Sequence, residues 1–88
     1  MPEFFDILWD DEPGGNVDHL AEHDVSWQEA DWVLRKYFRT RQRSLSRADR
    51  WVVRGVTAAG RHLLVVFDHM EDLNLVLPIT AYEPEPGF

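Results

Sequence analysis

The chain of 88 residues carries 16 acidic and nine basic side chains, 44% apolar residues and no cysteine. That length makes one small domain, the apolar and aromatic content exceeds that of a disordered segment, and the lack of cysteine excludes a disulfide scaffold, a thiolate metal site and a thiol nucleophile. The longest apolar run, Leu63 to Phe67, falls far short of the roughly 18 residues of a membrane span, and the opening MPEFFDILWDDE has no basic leader, so a cytoplasmic protein is expected.

In chain order, Phe4 to Trp9 reads as a short aromatic strand, ended by the turn DDEPGG. Asn16 suits an N-cap, and Val17, Leu20 and Ala21 lie on one face of a short helix reaching about His23. Ser26 followed by Glu29 is a capping-box signature and predicts a second helix. Its stripe of Trp27, Ala30, Val33, Leu34, Tyr37 and Phe38 is expected to face the core, with Trp32 off that stripe. From Arg39 to Asp49 the pattern becomes polar and basic, as in an exposed loop. Trp51 to Thr57 and Arg61 to Phe67 then form a hairpin turning at Gly60, with the second strand apolar on both faces and therefore central. Leu73 to Thr80 contains Pro78, which places it at an edge or a bulge.

These elements predict an α+β domain over residues 1–82: two short helices packed on a small antiparallel sheet, a three-stranded meander with or without the N-terminal segment as a fourth strand. Residues 83–88, rich in proline and glutamate, read as a flexible tail.

Charge is strongly blocked along the chain. Residues 1–34 hold ten acids and no base, residues 35–61 hold all nine bases against Asp49, and residues 62–88 hold five acids. The basic block either pairs with the acidic ones inside the fold or meets phosphate locally.

His19-Leu-Ala-Glu22-His23 satisfies the inverted zincin pattern H-x-x-E-H. A zinc hydrolase also needs a third ligand from another segment and a cleft that so short a chain can hardly build. Packing and helix capping are the roles expected of these histidines, and no metal or cofactor is implied.

Read together, Trp9-Asp10, Asn16, the run HDVSWQEA (residues 23–30), RWVVRG (residues 50–55) and GRHLLVVF (residues 60–67) resemble the BrnT family, in order and over most of the chain. That family comprises small toxins of bacterial type II toxin–antitoxin systems with a fold similar to the RelE-type ribonucleases. Asp24 stands where the family pattern has glycine, Glu22 where it has lysine, and Tyr82 where it has arginine. The resemblance implies a metal-independent endoribonuclease neutralised by an antitoxin-like partner. For that chemistry Arg50, Arg54 and Arg61 are candidate phosphate contacts, while His62 and Tyr82 are candidate proton carriers. Arg41, Arg43 and Arg47 would add nonspecific RNA attraction. The acidic balance and Tyr82 favour an alternative, a non-catalytic relative that uses the fold as a binding or regulatory module. Trp32 and the strand edges are surfaces that such a partner, or a homodimer, would cover.

Overall fold

The structure, a computed structural model, describes residues 5–45 and 49–85. The elements are β1 (Asp6–Ile7), α1 (Asn16–Ala21), α2 (Trp27–Tyr37), a 3₁₀ turn (Phe38–Thr40), β2 (Gln42–Arg43), β3 (Trp51–Val56), β4 (His62–Met70) and β5 (Leu75–Tyr82). They form an α+β domain around one five-stranded sheet of order β1-β5-β4-β3-β2. Among the described residues no helix is long and apolar enough to cross a membrane.

The predicted meander is present as β3-β4-β5, with β4 central, and Gly60 takes the positive φ of 88° that its turn requires. Two expectations are corrected. The sheet has five strands and is mixed, because β1 pairs in parallel with β5, setting Asp6 opposite Leu75 and Ile7 opposite Val76. The opposite edge gains β2, two residues of the segment expected to be a loop, paired antiparallel to β3. β5 is interior at its start, between β1 and β4, and Pro78 sits at a bulge, one of the two places expected for it, where the register shifts between Val66 and Phe67.

Alternation along the strands sorts the two faces. Val53, Leu63, Val65, Phe67, Val76 and Ala81 are buried with Leu20, Ala30, Val33, Leu34 and Phe38 of the helical layer. Opposite them, Val52, Arg54, Val56, His62, Val66 and Thr80 are half-exposed or exposed, on a face the helices leave uncovered. Phe38 anchors the core laterally, its ring 4.5 Å from Phe5 and 5.8 Å from Phe67.

Helix α2 starts as its sequence predicts. Glu29 N–H donates to Ser26 Oγ at 3.2 Å while the Glu29 carboxylate accepts from Ser26 N–H at 3.0 Å. Its stripe is buried at Ala30, Val33, Leu34 and Phe38, but Trp27 lies outside the core at 38% exposure and packs its ring 5.8 Å from Trp9. Trp32, exposed as expected, donates Nε1–H to the Val56 carbonyl at 3.1 Å and so blunts the outer edge of β3.

Helix α1 differs at both ends from its prediction. Gly15 occupies the N-cap, and Asn16 instead bridges three segments: its Nδ2 donates to the carbonyls of Leu8 and Pro78, and its Oδ1 accepts from Asp10 N–H. The helix closes before His23. Val25 N–H bonds the Leu20 carbonyl and Asp24 N–H the Ala21 carbonyl, the Schellman pattern, with Asp24 left-handed at φ 60°. Leu20 and Val25, the two residues such a closure brings together, are both buried. The left-handed backbone at Asp24 is one that glycine adopts freely and aspartate tolerates at some cost.

Candidate functional site

The β3–β4 register brings two of the candidate residues together. Arg54 stands opposite Leu64 and Val56 opposite His62, which makes Arg54 and His62 diagonal neighbours on the uncovered face. Such neighbours are about 7–8 Å apart, within reach of long side chains. The two residues line one cavity of about 240 Å³ together with Tyr37, Gly55, Val56, Leu63 and Pro84. At that volume, below the roughly 300–1,000 Å³ of an enclosed small-molecule site, the cavity takes one group of a longer chain.

Tyr37 enters the cavity because Gly55 has no side chain. A Cβ on Gly55 would lie 2.6 Å from Tyr37 Cε2 and 2.8 Å from Cγ, so the ring lies directly against the strand backbone. Lys36 sits over the rings of both Trp32 and Tyr37, at 5.2 and 5.9 Å from their centroids, and adds positive charge to this corner.

The other candidate residues are dispersed. Arg61 belongs to the opposite face of the sheet: its Nη1 donates to both carboxylate oxygens of Glu29, at 3.0 and 3.2 Å, and its Nε to Glu83. The hydrogen bond to Glu83 raises the Arg61 pKa further above its ordinary value, with Glu29 reinforcing it. Reciprocally, the Ser26 amide and then Arg61 hold the Glu29 carboxyl below the usual carboxylate range. Arg50 lies near the start of β3 with Nε 3.4 Å from Asp68 Oδ1, an ion pair whose atoms are out of line for a hydrogen bond. Tyr82 stands opposite Leu64 and, 39% exposed, keeps its ring 6.1 Å from His23. It does not line the cavity, where Tyr37 is the phenol present.

Arg41 and Arg43 converge on Trp51, their guanidinium carbons 4.8 and 4.1 Å from the indole centroid. Arg41 also lies 4.1 Å over Phe38 and donates Nη1–H to the Phe38 carbonyl at 3.1 Å, so its charge closes the end of the helical segment. Arg47 lies outside the described residues. Beyond Arg54 a second depression of about 200 Å³ is lined by Thr40, Gln42, Val52 and Arg54.

Much of the basic block is thus compensated within the fold, through Arg35 with Asp31, Arg50 with Asp68, and Arg61 with Glu29 and Glu83. Among the described residues no three His, Asp or Glu side chains are grouped to hold a metal ion, so His19, Glu22 and His23 find no third ligand there. Sequence reasoning assigned Tyr37 to the core stripe and passed over Gln42 and the Glu29–Arg61–Glu83 clamp. A signal existed only for Tyr37, a large ring on the helix stripe facing a strand glycine. No family model, curated protein or solved structure matches this chain significantly.

Proposed function

We propose that the chain is a BrnT-like, toxin-type endoribonuclease that cleaves RNA without a metal, acting in the cytoplasm under the control of an antitoxin-like partner. The observation that carries this reading is the cavity that Arg54 and His62, neighbours on the uncovered face, line together with Tyr37 and Gly55 of the helix-covered side. Imidazole is the side chain suited to proton transfer at neutral pH, and a guanidinium fork matches the oxygens of a phosphodiester. In this mechanism His62 accepts the proton of a ribose 2′-hydroxyl as that oxygen bonds to phosphorus. Arg54 stabilises the charge that develops on the non-bridging oxygens. The bond to the 5′-oxygen breaks, the leaving oxygen takes a proton from solvent, and the products are a 2′,3′-cyclic phosphate and a 5′-hydroxyl. Tyr37 forms the wall against which the strand is held.

The test is cleavage of a long mixed-sequence RNA by the purified, partner-free chain in excess EDTA. His62→Ala is expected to slow cleavage by about 10²–10⁴-fold, the usual worth of a positioned proton-transfer group, with an unchanged melting temperature. Intact RNA from the parent, or equal fragmentation by the variant, would sink the proposal.

A second reading, a binding module that does no chemistry, is favoured by the engagement of Arg61 with two carboxylates and of Arg50 with Asp68. Arginines compensated in this way contribute less to phosphate affinity than free ones. Under that reading the same sheet face receives a protein partner, and the EDTA assay gives no fragments.

A further inference from the structure

Arg54 lines both depressions, which therefore adjoin along β3, with His62 and Tyr37 at one end and Thr40 and Gln42 at the other. We infer that the Thr40–Gln42–Val52 end is a nucleobase subsite for single-stranded RNA, and that Gln42 selects the base flanking the cleaved phosphate. The inference rests on the ribonuclease reading and adds to it the strand's path and the residue that reads it.

The chemistry of the lining suits a base. Val52 contributes an apolar surface for a base face, and the Gln42 carboxamide offers a donor and an acceptor in one plane, the arrangement that pairs with a base edge. Gln42 stands opposite Val52 in the β2–β3 ladder, so both belong to the face that carries Arg54. Thr40 has committed its hydroxyl hydrogen to the Tyr37 carbonyl at 2.8 Å, which leaves its oxygen an acceptor for an exocyclic amine or a 2′-hydroxyl. Arg41 and Arg43 adjoin Gln42 in sequence but hold their guanidinium groups over Trp51, which the register places on the other face of the sheet, so Arg54 is the cation of this surface.

Dimensions point to an unpaired strand. Val52 and Val56, four positions apart on β3, mark the two depressions about 13 Å from each other at the rise of a strand. That distance suits an extended oligonucleotide lying along β3, and a volume of about 200 Å³ admits a single splayed base.

Fluorescence anisotropy of short labelled A, C, G and U homopolymers at low salt tests the subsite. The parent is expected to favour one base. Gln42→Ala should weaken binding to that oligomer by roughly fivefold or more, the worth of one good bidentate contact, and leave the others within about twofold. Gln42→Glu, which keeps the shape and removes the donor, should change which base is preferred. Arg54→Ala should weaken all four alike. RNA bound without preference, or with a preference that Gln42→Ala leaves intact, removes the subsite and spares the ribonuclease reading. No binding by the parent removes both.

Discussion

Replacing Gly55 by alanine drives a methyl group into the ring of Tyr37. The added carbon would lie 2.6 and 2.8 Å from two ring carbons and closer still to Cδ2, well inside van der Waals contact. Tyr37 is half-buried against the core and cannot retreat freely, because its ring is confined between β3 and the end of α2. Overpacking of this kind costs about 1–3 kcal/mol. The stiffer unfolded chain of an alanine variant returns about 0.4–1 kcal/mol, leaving a net loss of about 1.3 kcal/mol at the midpoints of the two ranges. For a domain of this size each kcal/mol moves the melting temperature by about 4–8 °C, so Gly55→Ala should melt roughly 5–10 °C lower. Thermal unfolding followed by circular dichroism measures this directly. Tyr37→Leu alone and combined with Gly55→Ala completes a double-mutant cycle. Once the ring is gone the methyl group has room, so the double variant should be no less stable than Tyr37→Leu alone. A parent-like melting temperature for Gly55→Ala, or strict additivity in the cycle, would refute the account of how the ring is seated.

Ser26→Ala removes one half of the reciprocal cap of α2 and should destabilise by about 1 kcal/mol in chemical denaturation, whereas Ser26→Asp should retain most of the stability. Asp24→Gly relieves a left-handed aspartate at the exit of α1 and is expected to stabilise by up to about 1 kcal/mol, read as a higher denaturation midpoint with an unchanged slope. The Glu29 carboxyl is held below 4.5 in the folded state, so it contributes stability that is complete above that value and lost as the pH falls through the lowered folded value. The melting-temperature gap between parent and Glu29→Gln should therefore be widest near neutrality and close with acid; a gap constant with pH would contradict the assignment.

What the sequence made legible is what short spacings encode. Ser26 and Glu29 lie within one helical turn, the hairpin strands are contiguous apolar runs broken at Gly60, and β4 shows no polar face; each was readable as a local pattern. The parallel seat of β1 on β5 joins residues nearly seventy positions apart, and two residues carry no periodicity from which to infer it. β2 escaped for the same reason: Gln42 and Arg43 are polar, and only the neighbouring strand makes them one. For the candidate site, alternation along β3 and β4 placed Arg54 on a face, and the register then added His62. The pairing of Arg61 with Glu29 and Glu83 spans 32 and 22 positions, and no spacing rule anticipates it.

Asn16 has a kinetic consequence. It bonds the Leu8 carbonyl, the Asp10 amide and the Pro78 carbonyl, so it latches the N-terminal strand to a sheet whose other members are joined by shorter connections. Closing that long loop is entropically costly, so the meander and α2 should assemble first and β1 dock late. Interactions made after the folding barrier act on the unfolding rate. Asn16→Ala should accordingly steepen the loss of the native state on the unfolding limb of a chevron and leave the refolding limb almost untouched, making one amide side chain a governor of how long the folded molecule lasts.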